Sequence, residues 1–172
     1  MLLLHGHPQT HAMWHAVAES LAEDFTIVAA DLPGYGRSAP TATGSKREMA
    51  AVLVEVMADL GFERFFLAGH DRGGRCAYRL ALDSPERVDR LAVLDIVPTA
   101  EMWRRVDKEF GLIDWHWFFL AQPEPFPEEL ISVEPETYYF RGYRPRFHPE
   151  ALADYLTSVR DPAVVRAMCR DY

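Results

Sequence analysis

Residues 69–74, with the sequence Gly-His-Asp-Arg-Gly-Gly, constrain the fold of this chain more than any other segment. They follow a short apolar run at residues 65–68 and precede a helical pattern that starts near Cys76. Glycines on both sides of Asp71 allow a sharp turn between a strand and a helix, and backbone strain there holds the central side chain up in a site. The pattern predicts that Asp71 is a nucleophile presented by that turn.

Asp71 has one other plausible role, that of a helix N-cap, since Asp is favoured immediately before a helix. As a nucleophile, a carboxylate attacks saturated carbon by displacement and forms an alkyl ester of the protein. The residue therefore indicates cleavage of a carbon–halogen or epoxide bond rather than of an ester or amide. The flanking glycines and the preceding strand favour the nucleophile over the cap.

The composition excludes several classes of protein. The 172 residues carry a formal net charge of −8, which argues against a general nucleic-acid binder. No apolar run is long enough to cross a membrane, and the apolar start at residues 1–4 is too short for a signal peptide. Two cysteines, Cys76 and Cys169, make no disulfide framework, so we expect a reduced, cytoplasmic protein.

Residues 1–97 alternate short apolar runs with helical patterns. The runs lie at residues 2–4, 25–30, 65–68 and 91–94, and continuous apolar runs are typical of parallel strands buried on both faces. Before the third run, Ser45 and Glu48 form a capping box that opens a helix, and Gly61 ends it. This order predicts an α/β fold with a doubly wound, mostly parallel sheet.

Residues 98–172 differ in composition from the first part of the chain: they are rich in aromatic residues and proline, and their pattern shows no further buried strand. We expect a mostly helical cap over the carboxyl ends of the strands, where ligands bind in doubly wound sheets and where a cap excludes water. The first apolar run has no strand before it, and the chain stops inside a continuing helical pattern. The sequence therefore predicts a partial core, and a cap incomplete at its C-terminus, as segments of a longer protein.

Two arginines lie on one face of the helix that follows Asp71. Cations at a helix N-terminus oppose the macrodipole, which is unfavourable without a compensating anion. Arg72 and Arg75 beside a nucleophilic carboxylate therefore predict a substrate carboxylate held in forked hydrogen bonds. The alternative is a structural ion pair with a nearby acid, which is the role we assign to Arg79 and Asp83.

The loop after the first strand, His-Gly-His-Pro at residues 5–8, is a second candidate segment. It is either a tight turn or a source of one oxyanion-hole donor, the backbone N–H of His7, with the N–H of Arg72 as the other. Asp95 ends the fourth apolar run. It either caps the segment that follows or orients a histidine, as the acid of a catalytic triad does.

The aromatic run at residues 115–119 is a third candidate. Aromatic packing is the simplest explanation for most of it, but His116 and Trp117 can each donate an N–H. A departing halide needs such donors because it is losing a strong hydration shell.

These segments together resemble the fluoroacetate (haloacetate) dehalogenases, members of the α/β-hydrolase superfamily. The resemblance is carried by residues 5–11, 69–75, 94–99 and 115–117 and covers nearly the whole chain. The nucleophile is followed by an arginine, whereas haloalkane dehalogenases and most epoxide hydrolases carry tryptophan there, so the resemblance is to the haloacetate enzymes rather than to those two families.

The resemblance implies the α/β-hydrolase fold with a helical cap, no cofactor and no metal. It also implies these roles: Asp71 as nucleophile, Asp95 as triad acid, Arg72 and Arg75 on the substrate carboxylate, and His116, Trp117 and Tyr172 on the halide.

The chain departs from the family pattern in three respects. The family's catalytic histidine lies beyond residue 172, and the seven histidines present offer no evident replacement base. His7 stands where many relatives carry phenylalanine. The cap around residues 138–149 is shorter than usual and lacks a family tryptophan that lines the substrate pocket. We expect the remaining histidines outside the motifs to lie in loops or at the surface: His5, His11, His15 and His148.

The predicted function is hydrolytic dehalogenation of a small 2-haloacid through an aspartyl ester, with fluoroacetate as the example and glycolate plus halide as the products. One alternative is an epoxide hydrolase of the same fold, which would need tyrosine donors over Asp71 and would leave Arg72 and Arg75 without an obvious role. Another is a catalytically silent, truncated fragment that serves as an interaction module. The expected partner is the small-molecule haloacid, with no nucleic acid and no membrane; a homodimer stays open.

Overall fold

The structure, a computed structural model, describes residues 1–172 and is built on a four-stranded sheet. The strands are β1 (Leu2–Leu4), β2 (Val28–Ala30), β3 (Phe65–His70) and β4 (Val88–Leu94). Their spatial order is β2-β1-β3-β4, and every neighbouring pair runs parallel. The α/β class with a parallel, doubly wound sheet is therefore confirmed.

Helices fill the intervals between the strands and make up every regular element after β4. The α-helices are α1 (His15–Leu21), α2 (Lys46–Asp59), α3 (Arg72–Asp83), α4 (Thr99–Arg104), α5 (Lys108–Ile113), α6 (His116–Leu120), α7 (Phe126–Val133), α8 (Pro135–Phe140), α9 (Pro149–Val159) and α10 (Pro162–Arg170). Short 3-10 helices lie at His11–Trp14, Pro85–Arg87 and Arg144–Arg146. No helix is both long enough and apolar enough to cross a lipid bilayer.

Helix α2 begins and ends where its sequence signals place it. The Ser45 hydroxyl accepts a 3.3 Å hydrogen bond from the N–H of Glu48, which satisfies an otherwise orphan donor of the first turn. The Glu48 carboxylate, however, accepts from the N–H of Thr43 at 2.8 Å, so the predicted capping box forms in one direction only. At the other end Gly61 has a φ of 87°, the left-handed conformation that ends a helix.

One hydrophobic cluster joins the sheet to the later helices. Strand β1, at the centre of the sheet, is fully buried, and α2 and α3 pack together beside it. Side chains from α7 to α10 enter the same cluster rather than forming a core of their own. Its members from that later region are Ile131, Tyr139, Phe140, Ala151, Tyr155, Val159, Val164, Val165, Met168 and Cys169.

Strand β4 lies at an edge of the sheet, and no strand pairs with its outer side. Leu91, Val93 and Leu94 are between 41 and 44 % exposed. The expectation that all four apolar runs are buried on both faces is therefore wrong for β4, and also for the other edge strand, β2, whose residues are all half-buried. The same apolar composition suits a strand with two neighbours or with one, so the run alone could not decide its exposure.

Candidate active site

The turn between β3 and α3 holds Asp71 in a strained conformation, with φ 47° and ψ −117°. Its glycines are required by close packing: a Cβ on Gly69 would lie 2.4 Å from the carbonyl oxygen of Gly73, and one on Gly73 would lie 2.3 Å from that of His5. Asp71 precedes α3, but its side chain makes no capping hydrogen bond to the helix. Its carboxylate lines a cleft instead, so the capping role is not the one that the structure shows.

Main-chain groups at the ends of two other strands, one in the loop after β1 and one at the last residue of β4, contact this turn. The backbone N–H of His7, in the loop after β1, donates a 2.9 Å hydrogen bond to Oδ2 of Asp71. The N–H of Asp71 donates at 3.2 Å to the carbonyl of Leu94, the last residue of β4. Only Oδ2 of the Asp71 carboxylate accepts a hydrogen bond from the protein, so Oδ1 is the free oxygen.

Asp71 opens into a cleft of about 750 Å³ at the carboxyl ends of the strands. The cleft brings together most of the residues selected from the sequence. Its wall is formed by His7, His70, Asp71, Arg75, Asp95, Ile96, Val97, Met102, Arg105, Phe110, Asp114, His116, Trp117 and Tyr172. Of the predicted side chains, only that of Arg72 lies outside this wall.

Arg75 is a buried guanidinium without an acidic partner. The residue is 4 % exposed, and its Nη1 donates to the carbonyl of Val97 at 3.1 Å and to Oγ1 of Thr99 at 2.9 Å. Its Nε is buried and unbonded. Burial lowers the pKa of Arg75, and the positive charge of Arg72 lowers it further. A buried cation held only by neutral atoms favours an anion beside it, and here it faces the cleft.

Arg72 makes the ion pair that was the alternative to substrate binding. Its Nε lies 2.9 Å from Oδ2 of Asp171, and its Nη2 lies 2.9 Å from Oδ1. Burial opposes the charge of Arg72, but Asp171 outweighs that effect and raises the arginine's pKa. The guanidinium carbon stacks 4.0 Å from the ring centroid of Tyr172 and lies 5.2 Å from that of Trp117. Arg72 thus supports the cleft wall from outside.

The three predicted halide donors converge on one part of the cleft. The ring of Tyr172 lies 5.8 Å from that of His116 and 5.3 Å from that of Trp117, centroid to centroid. None of the three side chains donates a hydrogen bond within the protein. Burial lowers the pKa of His116, which keeps the imidazole neutral. Burial, followed by the charge of Asp71, raises the pKa of Tyr172 well above its ordinary value, so its hydroxyl keeps the proton.

Asp95 follows β4 with a φ of 54°, and its side chain is 92 % exposed. The nearest imidazole belongs to His70, whose Nε2 lies 4.0 Å from Oδ2 of Asp95, which is too long for a hydrogen bond. Sequence reasoning did not select His70, although its place beside Asp71 at the end of a strand was a signal. The structure therefore puts Asp95 at the cleft without a hydrogen-bonded histidine.

The histidines of the first loop are more deeply placed than the sequence suggested. His5 lies in a loop, as expected, but is fully buried: its Nε2 accepts from the N–H of Leu32 at 2.9 Å, and its Nδ1 donates to the carbonyl of Gly6 at 2.9 Å. Burial lowers the pKa of His5 to about 4. Burial, and then the charge of His116, holds the pKa of His7 well below its ordinary range, so both imidazoles are neutral.

Nothing in the side-chain arrangement suggests a metal centre, since no group of three or more histidine, cysteine or acidic side chains is suitably clustered. What the site can supply is a free carboxylate oxygen, a buried cation and neutral hydrogen-bond donors in one cleft. Such a set suits displacement of an anionic leaving group from a substrate that itself carries a negative charge.

The chain is similar to several known proteins. Residues 1–165 match the family described as the alpha/beta hydrolase fold. The chain is 48 % identical over its whole length to a fluoroacetate dehalogenase from Burkholderia sp and covers 61 % of that protein. It is 34 % identical, again over its whole length, to a soluble epoxide hydrolase from Corynebacterium sp, of which it covers 64 %.

Among solved structures, a candidate alpha/beta hydrolase from Nostoc sp PCC 7120 superimposes with a TM-score of 0.96 at 51 % identity, covering 99 % of this chain and 63 % of that one. The resemblance that the motifs indicated is therefore confirmed. The chain spans less than two thirds of the length of each of these three relatives.

Proposed function

Because the chain belongs to the α/β-hydrolase fold family, we propose that its cleft carries out the hydrolytic dehalogenation of a small 2-haloacid, such as fluoroacetate to glycolate. The observation that carries the proposal is the buried Arg75, a cation with no acidic partner in the same cleft as the free oxygen of Asp71. Epoxides and esters without a charge would leave that cation unused. A haloacid places its carboxylate on Arg75 and its halogen-bearing carbon one bond away.

In the first step, Oδ1 of Asp71 attacks the carbon that bears the halogen. A carbon–oxygen bond forms as the carbon–halogen bond breaks, and the halide leaves with the bonding electron pair. His116, Trp117 and Tyr172 can donate hydrogen bonds to the departing ion because none of them is engaged elsewhere in the protein. Such donors accelerate the step only to the extent that they bind the developing halide more strongly than the substrate halogen.

In the second step, water attacks the carbonyl carbon of the new ester. Oδ2 of Asp71 becomes the oxyanion, and the N–H of His7 already lies 2.9 Å from it. The N–H of Arg72 is the second donor in this proposal. The tetrahedral intermediate then releases glycolate and restores the carboxylate. The water must lose a proton to a base, and the family's histidine, oriented by the residue corresponding to Asp95, has no counterpart among the 172 residues.

A second candidate is the opening of an epoxide by Asp71, favoured by the similarity to the Corynebacterium epoxide hydrolase. Tyr172 at the cleft wall could donate a hydrogen bond to the epoxide oxygen, since its raised pKa keeps the phenol in its neutral form. Arg75 has no role in that reaction, which is why we place it second.

The deciding experiment mixes the chain with fluoroacetate or chloroacetate and measures both halide release and protein mass. We expect at most one halide per chain and a mass increase of one carboxymethyl group on Asp71, because displacement needs no base but ester hydrolysis does. Asp71→Asn should show neither, whereas Asp95→Asn should still form the adduct.

Each other outcome has a meaning. An adduct from an epoxide but none from a haloacid would establish the second candidate. Release of many halides per chain would show that a residue of this chain serves as the base. Neither halide nor adduct would favour the silent, truncated fragment or interaction module.

A further inference from the structure

A buried cluster of four side chains lies beside the cleft and is used by none of the steps above. At its centre is Asp171, whose side chain is fully inaccessible. Its two carboxylate oxygens accept hydrogen bonds from Lys46 at the start of α2, from Tyr35 in the loop after β2 at 2.7 Å, and from Arg72 at the start of α3 at 2.9 Å. Four separate segments of the chain thus meet at one carboxylate.

The charges of this cluster do not cancel. Lys46 and Arg72 are the two cations and Asp171 is the single anion. Burial lowers the pKa of Lys46, but the hydrogen-bonded Asp171 opposes that effect and favours the charged ammonium. Burial raises the pKa of Tyr35 well above its ordinary value, so the phenol stays neutral. The cluster therefore has a net charge of one positive unit. An ion pair formed by Arg72 and Asp171 alone would be neutral, and it would already join the start of α3 to the segment that holds Asp171. A second buried cation costs desolvation free energy, so its presence calls for another explanation.

The excess charge lies against the wall where an anion would bind. The Arg72 guanidinium stacks on Tyr172, 4.0 Å from the ring centroid, and Tyr172 lines the cleft together with Trp117. Charge in a buried, weakly screened environment acts over this distance far more strongly than at a surface. If Asp171 belonged to Arg72 alone, the cluster behind that wall would carry no net charge.

We infer that Lys46 is a positioning residue for anion binding: by sharing Asp171 with Arg72, it leaves net positive charge behind the wall formed by Tyr172 and Trp117. The inference rests on the proposed function, since it specifies how the same cleft attracts its anionic substrate. Lys46 itself does not touch the cleft and acts only through Asp171 and Arg72.

The test measures binding of fluoroacetate by ¹⁹F NMR titration in the Asp71→Asn background, where no ester can form. Lys46→Met removes the charge, Lys46→Arg keeps it, and Lys46→Met with Asp171→Asn restores the net charge of one. The matched control is Lys108→Met, at the only other lysine, which is exposed and outside the cleft. Fluoroacetamide, which is neutral, serves as the second probe.

We expect Lys46→Met to bind fluoroacetate about tenfold more weakly, with fluoroacetamide binding unchanged. Lys46→Arg, Lys108→Met and the double variant should stay within about threefold of the parent. A purely structural role predicts instead that the double variant binds no better than Lys46→Met and that both probes suffer alike, and either result would overturn the inference.

The outcomes also separate the inference from the function on which it rests. Equal binding of fluoroacetate by the parent and Lys46→Met would remove the inference alone. No binding by the parent would remove the haloacid assignment as well. Should Lys46→Met fail to fold, as seen by near-ultraviolet circular dichroism, Lys46→Arg and the double variant decide: a tenfold loss in either one overturns the inference.

Discussion

The backbone N–H of His7 and the carboxylate of Asp71, 64 residues apart in sequence, are joined by a 2.9 Å hydrogen bond to Oδ2. The two oxygens of Asp71 are therefore distinguished before any substrate arrives. Oδ1 accepts no hydrogen bond from the protein, and in the proposed mechanism it is the attacking oxygen, whereas Oδ2 already accepts from the donor proposed for the oxyanion. Because the donor is a main-chain group, the side chain of residue 7 can vary without loss of this contact.

Substitution of Arg75 by lysine should weaken binding of an anionic ligand specifically. In Arg75→Lys, loss of the planar fork should weaken binding of fluoroacetate about tenfold and leave fluoroacetamide binding unchanged. Calorimetric titration of both ligands in the Asp71→Asn background measures the effect. Arg79→Lys is the control, since Arg79 pairs with Asp83 near the surface. Equal losses on the acid and the amide would refute the assignment of Arg75.

The halide donors should matter most for the poorest leaving group. Tyr172→Phe and His116→Ala should each slow fluoride release in the single displacement about tenfold, because each removes one hydrogen bond to the ion. Release of bromide from bromoacetate should slow less, since bromide depends less on such bonds. The burst rate for each halide is the measurement, with Trp115→Phe, outside the cleft wall, as the control. If both halides slow equally, these side chains only pack.

Acid should destabilise the chain partly through His5. Its pKa is about 4 in the fold against an ordinary value of 6.5, so the unfolded chain takes up a proton first as the pH falls. The stabilisation is thus complete above pH 6.5 and is lost between about pH 6.5 and pH 4. Lowering the pH from 7 to 5 should cost about 2 kcal/mol through this residue.

The variant His5→Gln should be less stable than the wild type at pH 7 but should lose less stability between pH 7 and pH 5. Urea denaturation at both pH values and low protein concentration gives the free energies of unfolding. His15→Gln, at an exposed histidine, is the matched control and should keep the wild-type slope. An unchanged slope in His5→Gln would show that other groups, such as the buried His7, account for the acid sensitivity.

The exposed edge of the sheet should make the chain self-associate. An edge strand with unpaired backbone groups and exposed apolar side chains can pair with a strand of another chain. We expect hydrophobic-dye binding and concentration-dependent association in analytical ultracentrifugation, both reduced by Val93→Lys. Leu112→Lys, which removes an exposed leucine away from β4, should reduce neither. A soluble monomer at all concentrations with a sharp thermal transition would contradict this expectation.

Local sequence signals were sufficient for the elements whose causes are local. The glycines around Asp71 predict the turn because a Cβ on Gly69 or Gly73 would lie less than 2.5 Å from a backbone oxygen, so only glycine fits at these two positions. Ser45 and Gly61 mark the ends of α2 for similar reasons, since a cap is decided by residues within one turn. The fold class follows from the order of such elements, and it is confirmed.

Contacts between distant segments could not be derived in the same way. The acid that pairs with Arg72 is 99 residues away, and many carboxylates in the sequence were equally eligible. Its only signal was its place next to Tyr172, a residue already chosen by resemblance. The burial of His5 likewise depends on Leu32, which arrives from the loop after another strand.

The later helices differ in how firmly the shared hydrophobic cluster holds them. Helices α7 to α10 are anchored in the same core as β1, so displacing them means disrupting that core. Helices α4 and α5 contribute no buried residue, yet Met102, Arg105 and Phe110 from this region line the cleft. Segments with few buried apolar contacts open at the lowest free energy. Helices α4 and α5 are therefore the parts of the cleft wall that move at the lowest free-energy cost. They are still coupled to the site, because Arg75 donates a hydrogen bond to Oγ1 of Thr99, the first residue of α4, so an outward movement of α4 would also release the guanidinium that faces the cleft.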